Sequence, residues 1–264
     1  MPMTRGKQKE VRSLLRKKGR EERGSFLVEG IRLTREAIDS DHHILEVYYS
    51  SELLEHPGGE ELLQRLEKRA VPLQLVSAKA LASIAETVTS QGIVALLKQS
   101  HVSAEGLIER RNGESTLVAL DAVSDPGNLG SIVRTCDWFG VHGMLIGRGS
   151  VELYNPKVVR GTMGGIFHLP IAQGLDLPSV VSTAREHGYT IYVTDPRGES
   201  HFDRVTYAQK SLLVFGNEAW GVSEQVKTLA HVRLAIRRYG AAESLNVGVA
   251  CGIVLSALHR FLEK

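Results

Sequence analysis

The stretch STLVALDAVSDPGNLGSIVRTCDWFG, residues 115–140, predicts a strand, a turn and a helix in direct succession. The strand is continuously apolar, and Asp-Pro-Gly at residues 125–127 is a typical turn sequence. Asn128 is expected to cap the helix that follows. An apolar stripe at helical spacing is formed by Leu129, Ile132, Val133 and Cys136. Arg134 lies almost opposite this stripe, so its side chain is directed to solvent or into a cleft.

This turn differs from the common nucleotide-phosphate loops. It has neither the Lys-Ser/Thr pair of a P-loop nor the glycine spacing of a dinucleotide-binding turn, which disfavours a Rossmann dehydrogenase. Helix capping alone would explain the presence of Asn128, and a place on a solvated helix face alone would explain Arg134. If Arg134 has a function, its planar guanidinium suits a phosphate group.

Strand-like apolar runs alternate with helical patterns along the chain, which predicts an α/β fold. Before residue 100 the strand-like runs are FLVEG, ILEVYYS, LQLVS and GIVALLKQ. After it they are STLVALD, GMLIG, YTIYVTD, SLLVF and VRLAI. The continuous apolar character of the second set predicts a parallel sheet covered on both faces. The polar residues 100–113 end in Asn112-Gly113 and predict a linker between domains at 1–99 and 114–264.

The net charge is only +2, but the basic residues are concentrated at the N-terminus. Residues 1–23 contain nine Lys or Arg and three Asp or Glu. Such a basic arm attracts phosphate backbones, although a solvated tail is the alternative. The candidate RNA contacts in this arm are Arg16, Lys17, Lys18 and Arg20.

The composition argues against several other classes of protein. No apolar run reaches the length of about 18 residues that a membrane helix needs. The basic N-terminus lacks the apolar core of a signal peptide. Cys136 and Cys251 both lie in apolar helical patterns, so we expect reduced core residues in a cytoplasmic protein. The sequence contains no cluster of Cys and His residues that would predict a metal site.

Two later loops also follow predicted strands, where parallel α/β sheets bind their ligands. In SLLVFGNEAWGVSEQV, residues 211–226, the strand ends in Gly-Asn-Glu. In IRRYGAAESLNVGVACGIVLSALHRF, residues 236–261, Ser244 or Asn246 is expected to cap a long apolar helix. Small residues recur every four positions in this helix, at Gly248, Gly252 and Ser256. They predict either close packing within the chain or a subunit interface.

Taken together, the three loops resemble the motifs of the SpoU (TrmH-like) group of SPOUT RNA methyltransferases. Asn128 and Arg134 match the N-x5-R motif, Gly216-Asn217-Glu218 matches G-x-E, and Ser244-Leu245-Asn246 matches S-L-N. The segment NPKVVRGTMGGIFHLP, residues 155–170, resembles the family's sequence between its first two motifs. LRKKGREERGSFLVEGIRLTREAI resembles its small substrate-binding domain, so the similarity covers nearly the whole chain.

The resemblance implies a small N-terminal α/β RNA-binding domain and a C-terminal parallel-sheet α/β domain with a deep trefoil knot. It implies a homodimer that uses S-adenosylmethionine to methylate a ribose 2′-hydroxyl in RNA. The separate first domain favours large-subunit (23S) ribosomal RNA over transfer RNA. A non-catalytic RNA-binding module is the alternative, and self-protection against a ribosome-targeting antibiotic is a possible role within the family.

The resemblance also assigns the site residues. The implied cofactor contacts are Phe215, Gly216, Asn217, Ile236, Leu245 and Asn246. The implied catalytic residues are Asn128, Arg134, Glu218, Ser244 and Asn246. Arg134 acts either as a general base or as a charged clamp for an RNA phosphate, which would make it an RNA contact as well. Arg237-Arg238 stands where the family usually has Pro-Met, which leaves the shape of the cofactor pocket open.

Overall fold

The computed structural model describes residues 3–40, 42–87, 91–109 and 113–262. The chain forms two compact units. The first contains Met1–Ser100 together with Glu152–Phe167, and the second contains His101–Val151 together with His168–Lys264. The first unit therefore includes part of the sequence that follows the predicted linker, while the predicted domain boundaries at 99 and 114 stay a prediction.

The first unit has a four-stranded sheet with helices around it. Its strands are β1 (Ser25–Glu29), β2 (Ile44–Tyr49), β3 (Leu73–Leu75) and β4 (Ile93–Lys98), in the order β1-β4-β2-β3. Only the β2–β3 pair is parallel. The helices are α1 (Arg5–Ser13), α2 (Lys17–Arg23), α3 (Ile31–Asp39), α4 (Gly59–Lys68), α5 (Ala78–Ile84) and, from later in the chain, α8 (Pro156–Gly161). Short 3-10 helices occur at Ser51–Glu55 and Gly165–Phe167.

Specific contacts hold the later segment in the first unit. The Tyr154 ring packs against Phe26 with centroids 4.6 Å apart. The Tyr154 hydroxyl accepts the Ser100 N–H at 2.9 Å and donates to the Ser100 carbonyl at 3.0 Å. Glu152 forms a buried ion pair with Arg20. These contacts join residues more than 50 positions apart, so local sequence patterns give no sign of them.

The second unit is built on a seven-stranded parallel sheet. Its strands are β5 (Ser115–Asp121), β6 (Gly143–Gly147), β7 (Ile171–Leu175), β8 (Thr190–Thr194), β9 (Ser200–His201), β10 (Lys210–Gly216) and β11 (Val232–Ala235). They are ordered β7-β6-β5-β10-β8-β11-β9, and every pairing is parallel. The helices are α6 (Ala104–Glu109), α7 (Pro126–Trp138), α9 (Leu177–Glu186), α10 (Glu224–Lys227) and α11 (Val247–Leu262).

The predicted α/β class and the parallel C-terminal sheet are confirmed. Strands β7 and β9 had no clear signal, because β7 contains Gln173 and Gly174 and β9 has only two residues. Helix α6 lies within the segment predicted as a linker, and its Leu107 and Ile108 are buried in the core of the second unit. The implied knot stays a prediction.

The expected start of α7 was wrong by three residues. Helix α7 begins at Pro126 and its N-cap is Asp125, whose Oδ1 accepts the Asn128 N–H at 2.8 Å. Aspartate followed by proline at the first helical position is a favourable helix start, so the earlier residue caps the helix. Asn128 lies inside the first turn, and its side-chain amide is available for other partners.

Helix α11 packs against α7. A Cβ atom at Gly248 would lie 2.6 Å from Ser131 Oγ, and one at Gly252 would lie 3.7 Å from Thr135 Cγ2. Gly248 therefore serves close packing within the chain, which is one of the two predicted roles of the small residues. Cys136 on α7 and Cys251 on α11 are both free and buried, which confirms their expected place in the core.

Among the described residues, no helix has the length and apolar character needed to cross a membrane.

Candidate functional site

The first two sequence motifs lie side by side because their strands are neighbours. Strands β5 and β10 pair in parallel, and Gly216 at the end of β10 pairs with Asp121 at the end of β5. The loops that follow both strands therefore leave the sheet at its carboxyl edge. This edge is the usual position of ligand sites in parallel α/β sheets.

Glu218 is the centre of a hydrogen-bond network between these loops. Its Oε1 accepts the Asn128 Nδ2–H at 2.9 Å and the Asp125 N–H at 3.2 Å. Its Oε2 accepts from Ser124 twice, from the backbone N–H at 3.3 Å and from the hydroxyl at 3.2 Å. The carboxylate of the second motif therefore fixes both the start of α7 and the side chain of the first motif.

These hydrogen bonds determine the charge state of Glu218. Partial burial acts to raise the pKa of its carboxyl group, but hydrogen bonds from Asn128 and from nearby backbone N–H groups outweigh that effect. The net pKa of Glu218 lies below its ordinary value. Donors that point at a carboxylate favour its charged form, so Glu218 is an anion at neutral pH.

Asn128 connects the network to the third motif. Its Oδ1 accepts the Asn246 Nδ2–H at 2.8 Å, while its Nδ2 donates to Glu218. Asn246 Oδ1 in turn accepts the backbone N–H groups of Gly248 at 2.9 Å and Val249 at 3.2 Å. Asn246 therefore caps α11, as predicted for Asn246 or Ser244. One chain of side-chain hydrogen bonds joins all three motifs.

The loop of residues 217–221 is closed on itself. Asn217 and Gly221 exchange backbone hydrogen bonds of 3.0 and 2.9 Å. The buried Asn217 side chain donates to the Ala122 carbonyl at 2.7 Å and accepts the Ala219 N–H at 2.8 Å. A Cβ atom at Gly216 would overlap with the backbone of Gly221 and Val222, so only glycine fits at this position. The loop is a fixed platform at the end of β10.

The residues assigned to the cofactor divide into buried and accessible ones. Phe215 is fully buried within β10, so only its backbone can face a ligand. Ile236 is half-buried and Leu245 is exposed. In the part of the chain that the structure describes, no backbone N–H of residues 237–245 donates a hydrogen bond. Backbone N–H groups without a partner thus lie next to the apolar side chains of Ile236 and Leu245, and this combination suits an adenine ring and an amino-acid group.

Arg134 and Ser244 lie outside the network. Arg134 is exposed on α7, on the side away from the buried stripe, as its spacing predicts. Within the described residues, its guanidinium has neither a hydrogen bond nor an ion pair. Ser244 is also exposed, and its hydroxyl has no partner among those residues. Both side chains are free to contact a substrate.

Sequence reasoning missed two residues that hold Glu218, namely Ser124 and Asp125. Asp125 was assigned only to the turn, and Ser124 had no assigned role. Their position directly after β5 was the available signal, because it places them at the carboxyl edge of the sheet.

The candidate RNA contacts of the first unit differ in exposure. Arg16, Lys17 and Lys18 are exposed, and the two lysines have only loose ion pairs with acidic residues one helical turn away, at 3.6 and 3.7 Å. Arg20 is buried. Its Nε donates to the Glu152 carboxylate at 3.0 and 3.1 Å, and one terminal nitrogen donates to the Leu14 carbonyl at 2.8 Å. Because these partners occupy the guanidinium, we omit Arg20 from the proposed RNA contacts.

Comparisons with curated proteins relate this site to known enzymes. The chain is 31% identical over 249 residues to the 23S rRNA (guanosine(2553)-2′-O)-methyltransferase RlmP of Bacillus subtilis (strain 168), covering 94% of each chain. It is 28% identical over 202 residues to the 23S rRNA (guanosine-2′-O-)-methyltransferase RlmB of Neisseria meningitidis serogroup B, covering 76% of this chain and 81% of RlmB.

Solved structures give the same relation. The AdoMet-bound rRNA methyltransferase from Sinorhizobium meliloti has a TM-score of 0.87 and 28% identity, covering 99% of this chain and 98% of that one. Two family descriptions match this chain: the MRM3-like substrate binding domain over residues 7–95 and the SpoU rRNA Methylase family over residues 115–256. The network that joins the three motifs lies within the second match, and the chain belongs to the SpoU rRNA methylase family.

Proposed function

We propose that this protein transfers a methyl group from S-adenosylmethionine to a ribose 2′-hydroxyl of large-subunit (23S) ribosomal RNA. The observation that carries the proposal is the hydrogen-bond network of Asn128, Glu218 and Asn246, which joins the three motifs at one edge of the sheet. The curated relatives named above are 23S rRNA 2′-O-methyltransferases, and they align with this chain over most of its length.

The cofactor would bind against the loops that follow β10 and β11. When bound, S-adenosylmethionine supplies an activated methyl group on a positively charged sulfur. Backbone groups of Phe215, Gly216 and the loop 237–245 would bind its polar atoms, and Ile236 and Leu245 would pack on its adenine ring. Asn217 would support this site indirectly, because its buried side chain holds the loop 217–221 closed.

The chain's own residues would align the ribose and stabilise charge. A ribose hydroxyl is a weak nucleophile, so its orientation toward the methyl group contributes much of the rate enhancement. We assign Arg134 to the RNA phosphate next to the target ribose, because it is exposed and unpaired among the described residues and arginine is effectively always protonated in proteins. The network keeps the start of α7 in place, and Ser244 would bind the substrate from the third motif.

The first unit would contribute RNA affinity. Arg16, Lys17 and Lys18 are exposed near the N-terminus of α2, and cations of this kind bind phosphates without reading sequence. We expect their replacement to weaken RNA binding and to reduce its dependence on salt concentration.

We infer two further family features. The first is the trefoil knot, which is supported by the position of β10 between β5 and β8 and by the packing of α11 against α7. The second is a homodimer. It is supported by an open cavity of about 490 Å³ along α11, lined by Phe202, Asp203, Val249, Gly252, Ile253, Ser256, Ala257 and Arg260.

The test is methyl transfer from labelled cofactor to separated 23S, 16S and transfer RNA, followed by mapping of the modified ribose. We expect label in 23S RNA. We also expect Arg134→Ala to lower kcat by about 10²–10³-fold, as observed when one charge-stabilising donor is removed from other enzymes. Arg185→Ala is the matched control, because Arg185 is exposed on α9, which leads into β8 at the opposite edge of the sheet.

The same assay separates the alternatives. Label only in transfer RNA would show that transfer RNA, and not 23S RNA, is the substrate. RNA binding without methyl transfer would indicate a non-catalytic module. A phosphate clamp predicts that Arg134→Ala lowers the rate equally across the pH range, whereas loss of a general base would change the shape of the pH profile. Full activity of Arg134→Ala would contradict both roles.

A further inference from the structure

Trp220 exposes a large aromatic side chain to solvent beside the proposed active site. Its side chain is 69% exposed, although tryptophan normally buries most of its large surface. It lies two residues after Glu218, at the tip of the loop 217–221. Hydrogen bonds account for Asn217 and Glu218 of the second motif, whereas no hydrogen bond or ring contact within the described residues accounts for Trp220.

The loop that carries Trp220 is rigid. The backbone hydrogen bonds between Asn217 and Gly221 close the loop on both sides of the tryptophan. The side chain of Asn217 ties it to the Ala122 carbonyl, and Glu218 ties it to the start of α7. An aromatic ring on a fixed loop loses little conformational entropy on binding, so Trp220 is preorganised to stack on a planar ligand.

Other exposed groups at the same edge of the sheet suit a nucleic acid. Tyr239, in the loop after β11, is 87% exposed, and the Arg237 guanidinium lies over its ring at 5.2 Å. Arg134 is exposed on α7, which follows β5. Because β5, β10 and β11 are parallel, the loops after them leave the sheet at one edge. Cations interleaved with exposed aromatic rings are typical of surfaces that bind unpaired nucleotides.

We propose that Trp220 stacks on an unpaired nucleobase of the RNA substrate, at or next to the nucleotide whose ribose is methylated. This inference rests on the proposed function and adds a positioning residue to it. Sequence-specific RNA recognition commonly targets loops and bulges whose bases are unstacked and packed on aromatic side chains. Stacking on Trp220 would hold the nucleotide beside Glu218 and Asn128, while Arg134 binds the phosphate.

The kinetic test compares Trp220→Leu with Trp220→Phe on 23S rRNA transcribed in vitro. Leucine keeps an apolar side chain but removes the ring. We therefore expect KM for RNA to rise about 10-fold to 100-fold, which corresponds to the loss of one base–aromatic stacking contact. Phenylalanine keeps a ring and should restore most of this loss. Binding of S-adenosylmethionine should stay unchanged in both variants.

Trp138→Leu is the matched control, because Trp138 at the end of α7 is also highly exposed, at 84%, and has no assigned role. We expect little change in its KM for RNA. An equal rise in KM for Trp138→Leu and Trp220→Leu would overturn the proposal, since the effect would not depend on the place beside Glu218.

Fluorescence tests the contact directly, because the sequence contains only these two tryptophans. In Trp138→Phe the emission comes from Trp220 alone, and we expect the 23S transcript to quench it strongly. In Trp220→Phe the emission comes from Trp138, and quenching should be weak.

Four further results would also overturn the proposal. They are an unchanged KM for RNA in Trp220→Leu, a loss confined to S-adenosylmethionine affinity, a changed sedimentation coefficient of Trp220→Leu, and an unquenched Trp220. The first three leave the methyltransferase function intact when the wild-type protein transfers label to RNA. A wild-type protein without activity on RNA overturns the proposed function and the stacking proposal together.

Discussion

Asn128 uses both ends of its side-chain amide, and this explains why a carboxamide stands at this position. The N–H group donates to the Glu218 carboxylate, and the oxygen accepts from Asn246. Aspartate has nearly the same shape but would place a second negative charge 2.9 Å from Glu218. Like charges at this distance disfavour the ionised form of both groups. The residue is therefore specified by hydrogen-bond polarity and by charge.

Glu218 provides a pH-dependent test of the network. We expect Glu218→Gln to lower Tm at neutral pH, because a glutamine amide would turn an N–H₂ group toward N–H and O–H donors. The lowered pKa of Glu218 means that its contribution is fully present above the unfolded-state value of about 4.3 and is lost as pH falls through the folded-state value. Thermal melts followed by circular dichroism should show a Tm difference that shrinks at acidic pH.

Two comparisons make this prediction specific. Glu21→Gln is the control, because Glu21 is exposed and pairs with the equally exposed Lys17 one helical turn away, at 3.6 Å. We expect a smaller Tm change at neutral pH for Glu21→Gln than for Glu218→Gln. A Tm difference for Glu218→Gln that stays constant into the acidic range would contradict the assigned charge state.

At the scale of elements, the last turn of α2 and the segment before α8 are joined by a buried ion pair. Arg20 and Glu152 have side chains that are only 3% and 13% exposed. Removing one partner leaves a buried charge without compensation, so we expect Glu152→Ala to lower the free energy of unfolding by about 3–5 kcal/mol. The double variant Arg20→Met with Glu152→Leu should lose less, because it removes both charges.

Urea denaturation measures these changes, and a double-mutant cycle with the single variants Arg20→Met and Glu152→Leu isolates the pair. Lys18→Ala is the control, since Lys18 and Glu22 form an exposed pair of little expected effect. Equal losses in the single and double variants would show that packing, and not charge, holds this segment.

Elements could be predicted from sequence wherever the signal was local. The strands at 115–121 and 143–147 have the predicted bounds, because continuous apolar runs end at polar or glycine residues. The cap of α7 was misassigned because Asp125 and Asn128 are both good caps, and the choice depends on the proline between them. Strand β7 escaped detection because its second half, Gln-Gly-Leu, breaks the apolar run.

At the scale of the whole molecule, the order of the strands was not readable from the sequence. Neighbours in the sheet such as β5 and β10 are separated in sequence by residues 122–209, and no local pattern encodes their pairing. The assignment of residues 152–167 to the first unit has the same origin, because it depends on distant partners such as Phe26. The three motifs were recognisable, while the hydrogen bonds that connect them required the structure.

The proposed homodimer makes a prediction at this scale. Val249 is 50% exposed on α11 and lines the cavity described above. We expect sedimentation analysis to show a dimer for the wild-type protein and a shift toward monomer for Val249→Asp, because a buried charge without a partner opposes association. Leu75→Asp is the control, as Leu75 is exposed on β3 in the first unit. Dissociation of the Leu75 variant alone, or of neither variant, would contradict the assigned interface.

The position of β10 in the sheet has a consequence for synthesis on the ribosome. Strand β5 ends at residue 121, but the strand that covers one of its edges ends at residue 216. At about 5–20 residues per second, the nascent chain exposes this apolar edge for about 5–20 seconds before β10 emerges. Unpaired strand edges invite pairing with other chains. We therefore expect residues 115–121 to be a chaperone-binding segment of the nascent chain, and we expect slow translation after β5 to lower the yield of folded protein.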